Sequence, residues 1–131
     1  MSNDSLAVFL IEDDPDVRES VVEVLNDEGW EVVTAENGAV ALTKLAILPR
    51  PGLIVLDLLM PEMNGFEFLE RLKALPETQV RPVLVISANT YVKEAELYLG
   101  VLGTLTKPFH AKELLAWVER YCPRSPGQYE G

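Results

Sequence analysis

Two uninterrupted apolar runs, Ala7-Val8-Phe9-Leu10-Ile11 and Leu53-Ile54-Val55-Leu56, each stop at carboxylates: Glu12-Asp13-Asp14 after the first and Asp57 after the second. A strand that is apolar at every position has no solvent face, so both runs belong inside a sheet covered on two sides. If those strands run parallel, their acids emerge together at one edge. Carboxylates gathered at the ends of buried strands are costly unless a cation sits among them. Fold and chemistry are therefore constrained by the same residues.

The rest of the chain repeats the pattern. Further strands are predicted over Trp30 to Ala35, over Val83 to Ile86, and more weakly over Thr104 to Thr106. Between the first two strands, Val17, Val21, Val24 and Leu25 recur at helical spacing, with Asp14 as N-cap, Pro15 in the first turn and Gly29 as the stop. A second helix follows Asn37-Gly38 and breaks at Pro49-Arg50-Pro51-Gly52. A third starts at Gly65, a short one covers Val92 to Leu99 and ends at Gly100, and the last uses Leu114, Leu115, Val118 and Tyr121. Apolar strands alternating with helices predict a doubly wound α/β domain, a parallel five-stranded sheet of order 2-1-3-4-5 with helices on both faces. In that order strands one and three are neighbours at the switch point, where such sheets bind ligands beyond the carboxyl ends of their strands.

Composition narrows the function classes. The chain has 131 residues and a net charge of −10, with no basic stripe to meet nucleic-acid phosphates or anionic lipid. No run approaches the ~20 apolar residues of a membrane span, and Met1-Ser2-Asn3-Asp4 lacks the features of a signal peptide. The single cysteine, Cys122, rules out an internal disulfide and fits a reducing cytoplasm.

Asp14 and Asp16 are read as helix-capping and dipole-complementing residues. Asp13 and Asp57 are different, because two anions a few Å apart destabilise a fold without a cation. Mg²⁺ takes oxygen ligands in near-octahedral geometry and keeps waters, so two carboxylates and a backbone carbonyl suffice. Glu12, one methylene longer, is placed to hold a metal-bound water. Alone, Ser87 is a strand-end hydroxyl and Lys107 a surface lysine. At the same sheet edge as Asp57 they become a hydroxyl and an ammonium aimed at the oxygens of one phosphoryl group, with Asp57 as its acceptor. His110, the only histidine, is read as a solvated helix-start residue, and Trp30 and Trp117 as packing or interface residues.

These blocks resemble the signatures of the response-regulator receiver family of two-component signalling. They are Ile11-Glu12-Asp13-Asp14-Pro15, Val55-Leu56-Asp57-Leu58-Leu59-Met60-Pro61 with Gly65, Ile86-Ser87-Ala88 and Leu105-Thr106-Lys107-Pro108-Phe109. The resemblance runs from about Ala7 to Tyr121. It implies a flavodoxin-like domain, residues 1–122; by its composition Pro123 to Gly131 reads as a flexible tail or linker. Asp57 matches the phosphoacceptor, Glu12 and Asp13 the metal-site acids, Ser87 the switch hydroxyl and Lys107 the family lysine. The backbone carbonyl of Leu59 matches the third protein ligand to Mg²⁺, and Lys107-Pro108 matches a bond the family holds cis. Implied partners are a histidine kinase or histidine phosphotransfer protein upstream and an unidentified protein downstream, with oligomeric state, a dimer included, left open.

The chain departs from the family pattern at Thr104, where an aromatic residue usually sits, and Gly100-Val101-Leu102-Gly103 replaces the common small-acidic turn. Leu59 and Asn89 occupy positions that tune phosphoryl hydrolysis in the family. Three readings compete with a stand-alone regulator: a receiver cut from a hybrid kinase or larger regulator, a scaffold working without phosphate, and a Mg²⁺-dependent aspartyl-phosphate phosphatase. The last wants a second acid two residues past the nucleophile, where Leu59 stands; the scaffold reading conflicts with an undamaged site.

Overall fold

The structure is a computed structural model and describes residues 7–47, 52–58, 64–75, 82–87, 93–96 and 100–122. Five strands form one parallel sheet: β1 (Val8–Ile11), β2 (Val32–Ala35), β3 (Leu53–Asp57), β4 (Val83–Ser87) and β5 (Val101–Thr106), in the order β2-β1-β3-β4-β5. The predicted order holds. Every residue of β1, β3 and β4 is buried, whereas the edge strands β2 and β5 are partly exposed.

Side chains along each strand alternate between two cores. Phe9, Ile11, Ile54 and Leu56 point to one face and pack with Leu45, Phe68 and Leu72. Val8, Leu10, Val55, Leu84 and Ile86 point to the other and meet Leu25, Leu114 and Val118. Helices α2 (Gly38–Ile47) and α3 (Gly65–Lys73) thus cover the first face. Helices α1 (Pro15–Asp27) and α4 (Ala111–Tyr121) cover the second.

Local chemistry sets the helix starts. The Asp14 side chain accepts from the N–H groups of Asp16 at 2.9 Å and Val17 at 3.4 Å, with Pro15 in the first turn. Asn37 accepts from the Val40 N–H at 2.8 Å, and Asn64 forms a reciprocal capping box with Glu67. Gly29 follows the end of α1 at φ +96°, a backbone setting that a side chain would strain.

The fifth strand corrects the sequence reading. It begins at Val101, three residues earlier than expected, so Val101 to Gly103 belong to the sheet and not to a turn. Val83 pairs with Val101 but Leu84 with Gly103, which leaves Leu102 as an extra residue in a β-bulge, 39% exposed. Gly103 explains why the segment lacks strand propensity: a Cβ there would lie 2.3 Å from the Trp117 ring, so the indole sits directly on bare backbone. That ring stacks on Tyr121 at 6.2 Å between centroids, and Arg120 lies 5.8 Å from its centre. Of the expected helix over Val92 to Leu99, residues 93–95 are helical. Leu59, Asn89 and the 123–131 segment lie outside the described residues.

Two stability-linked outcomes are expected. A Cβ at Gly65 would lie 2.6 Å from Leu58 Cα and 2.9 Å from the Asp57 carbonyl oxygen, both backbone atoms with no room to retreat. Gly65→Ala is expected to lower unfolding stability by about 1–3 kcal/mol in a urea titration; an unchanged midpoint refutes the close approach. Cys122 is fully buried, and burial pushes its thiol up to about 12, so below that pH it stays neutral. At pH 8 alkylation of the native chain is expected to be slow and to become fast in denaturant. Equal rates in both states would contradict the packing.

Candidate functional site

The carboxyl edge of the sheet collects the acids because the three buried strands end in step. Ile11 pairs with Leu56 in the β1–β3 register, so Glu12 and Asp57 each follow that pair by one residue. The Glu12 N–H still donates to the Ala35 carbonyl at 3.0 Å, which extends the β1–β2 ladder one residue past the strand. On the other side Asp57 pairs with Ile86, and Ser87 closes β4 one residue further on.

Glu12 is fully buried, Asp57 is 3% exposed and Asp13 is half-buried. Carboxylate oxygens of these three residues lie within 4.8 Å of one another. At an effective dielectric of about 20, each such pair of charges repels by about 3 kcal/mol or more. Part of the compensation is Lys107. Its Nζ stands 3.0 Å from Glu12 Oε1 and 3.5 Å from Asp57 Oδ2. Burial by itself works to lower the lysine pKa, but the contact with Glu12 and the charges of Asp57 and Glu12 outweigh it and raise it. The ammonium is therefore kept at neutral pH. Three carboxylates against one ammonium still leave a formal deficit of positive charge, which is the donor set of a hard divalent cation.

Glu12 has a second engagement: its Oε2 accepts from the Asp14 N–H at 3.2 Å. The carboxylate is thus turned partly toward its own loop and partly toward Lys107. Ser87 is buried, and its Oγ has no hydrogen-bond partner among the described residues. An orphaned hydroxyl at that depth is costly, and an oxygen-rich ligand at the strand ends would satisfy it. The Lys107 N–H donates to the Ser87 carbonyl at 2.8 Å, tying the end of β5 to the end of β4, and the Lys107–Pro108 peptide is cis.

The structure therefore brings together Glu12, Asp13, Asp57 and Lys107, and sets Ser87 beside them at the end of β4. Other residues go elsewhere. Asp14 caps α1 and is exposed, and His110, also exposed, precedes α4 and gives its backbone N–H to Glu113 Oε1 at 2.9 Å. Thr104, on β5, donates its hydroxyl to Glu96 Oε2 at 3.3 Å. Trp30, buried, donates its indole N–H to the Cys122 carbonyl, a packing role.

Sequence reasoning missed Arg18. Its Nη1 donates to the backbone carbonyls of Glu12 at 2.8 Å and Asp13 at 3.3 Å. A cation near a helix N-terminus opposes the macrodipole, and that mismatch was the signal available in the sequence. Beside the site, a groove of about 560 Å³ runs between Asp16, Val17, Ser20 and Val21 of α1 and the Lys107–Phe109 segment. No helix among the described residues is long and apolar enough to cross a membrane.

Comparison with known proteins agrees with this layout. The chain is 37% identical over 123 residues to the 14.6 kDa protein in the sodA1 3′ region of Leptolyngbya boryana, covering 91% of this chain and 92% of that one. It is 38% identical over 121 residues to the transcriptional regulatory protein CrdR of Helicobacter pylori, covering 91% of this chain but 56% of CrdR, so it spans little more than half of that relative. Among solved structures, a response regulator receiver protein from Pseudomonas putida superposes with a TM-score of 0.81 at 28% identity, covering 92% of this chain and 99% of that one. Residues 8–119 match the response regulator receiver domain family. With acids, hydroxyl and lysine meeting at the carboxyl edge of a 2-1-3-4-5 sheet, and with that match over most of its length, the chain belongs to the response regulator receiver family of two-component signalling.

Proposed function

We propose that this chain accepts a phosphoryl group from a phosphohistidine donor onto Asp57 in a Mg²⁺-dependent reaction, and that the modification alters a protein-binding surface. One observation carries the reading: three carboxylates converge within 4.8 Å at the strand ends with Lys107 3.5 Å from Asp57. The proposed ligands are the carboxylates of Asp13 and Asp57 with the Leu59 backbone carbonyl, and Glu12 acting through a water. The bound ion supplies positive charge to the transferring oxygens.

The residues of the chain divide the remaining work. Asp57 attacks phosphorus through a carboxylate oxygen; the new O–P bond forms as the donor's N–P bond breaks, and the released imidazole takes up a proton from solvent. In this reading Lys107 neutralises a phosphoryl oxygen and Ser87 donates its hydroxyl to another; the Lys107–Asp57 contact and the unpartnered Ser87 Oγ support it. The donor is already activated, so alignment and charge neutralisation are what the domain must provide. The apolar groove beside Lys107 offers a donor protein its footing.

Movement of Ser87 toward the phosphoryl group would shift the end of β4 and, through the Lys107–Ser87 backbone bond, the end of β5. The Thr104–Glu96 hydrogen bond, on the strand such a shift would move, supports a route to the surface that does not use the family's usual aromatic residue. Output to a downstream protein then passes through the β5–α4 side, as a stand-alone regulator or as the receiver part of a larger one.

Incubation with Mg²⁺ and acetyl phosphate is expected to add one phosphoryl group by intact mass. Asp57→Ala or chelation of the metal should abolish it; labelling that survives Asp57→Ala defeats the assignment. Lys107→Met is expected to slow labelling by about a hundredfold at saturating Mg²⁺. A parental rate would show that the ammonium does not act on the transferring group.

A further inference from the structure

The loop that carries Glu12 and Asp13 has few residues in which to satisfy its backbone. Its N–H groups are accounted for at both ends: Glu12 N–H reaches the Ala35 carbonyl, and Asp14 N–H reaches Glu12 Oε2. The Asp14 carbonyl accepts from the Arg18 N–H at 2.9 Å as the first bond of α1. That leaves the carbonyls of Glu12 and Asp13, and one nitrogen takes both: Nη1 of Arg18 at 2.8 and 3.3 Å. Arg18 is half-buried and lies one helical turn beyond the acids it grips.

We propose that Arg18 is a positioning residue for divalent-cation binding. By fixing two consecutive peptide units it sets the direction in which the Glu12 and Asp13 carboxylates leave the backbone, and hence their convergence on Asp57. The inference rests on the Mg²⁺ reading of the site and adds a residue that touches neither metal nor phosphoryl group.

Electrostatics and geometry predict opposite signs here, which makes the role testable. As a bare positive charge near a cation site, Arg18 repels Mg²⁺, and its removal should tighten binding. As a clamp, its removal frees the loop and weakens binding. Groups that orient metal ligands typically contribute about 10–100-fold in affinity. Lysine keeps the charge but replaces the rigid planar guanidinium with a rotatable ammonium, so Arg18→Lys isolates geometry.

Parent, Arg18→Met and Arg18→Lys chains should be titrated with Mg²⁺ by calorimetry, with melting curves of the metal-free proteins run alongside. Arg18→Met is expected to raise the Mg²⁺ Kd about tenfold, and Arg18→Lys to raise it by a smaller factor. Labelling of Asp57 by acetyl phosphate should return to the parental extent once Mg²⁺ is saturating. An unchanged or lower Kd in Arg18→Met overturns the proposal, as does a shift confined to the melting temperature. If Arg18→Met does not fold, the lysine variant decides by the same criterion. A parent chain that binds no Mg²⁺ overturns the reading of the site, and this inference with it.

Discussion

Anionic side chains at the ends of strands that water does not reach are the constraint on which the rest of this molecule is arranged. Glu12 and Asp57 are as buried as the valines and leucines that precede them, and Asp13 is only partly exposed. Their mutual repulsion in a low-dielectric edge has to be answered locally. Lys107 answers part of it by reaching Glu12 and Asp57 together. The remainder is a standing preference for a hard cation, and it is the premise of the proposed phosphoryl transfer to Asp57.

The architecture supplies that edge economically. Parallel strands end on the same side of the sheet, so residues distant in sequence arrive together without long loops. The register then sets depth: Ile11 opposite Leu56 and Asp57 opposite Ile86 bring acid, acid and hydroxyl to nearly one level. Gly65 allows the start of α3 to lie against the backbone of Asp57 and Leu58. Hydrogen bonds from the Arg18 guanidinium and from the Lys107 backbone N–H hold the two flanking segments.

Legibility in the sequence followed the strength of each residue's local commitment. Three buried strands were readable because β-branched and apolar residues fill every position and acids or a serine stop them. The caps at Asp14 and the start at Gly65 were readable because their side chains, or the lack of one, act within a turn. The first half of β5 was not. Val101-Leu102-Gly103 has a glycine where a strand should have a side chain, and the reason, the Trp117 ring resting on Gly103, comes from a helix later in the chain. Arg18 was missed for a related cause: its partners are carbonyl oxygens, and every residue has one.

What the sequence determined by itself was the alternation of strand and helix, the strands buried on both faces, and the identity of the residues at their ends. These follow from periodicity and from the cost of burying charge, both of which act locally. Only the tertiary structure decided the 4.8 Å spacing of the carboxylates, the sharing of Lys107 between Glu12 and Asp57, the bulge at Leu102 and the grip of Arg18 on the first loop. Each of these depends on strand register and helix packing, where distances of a few Å are set by side chains far apart in sequence.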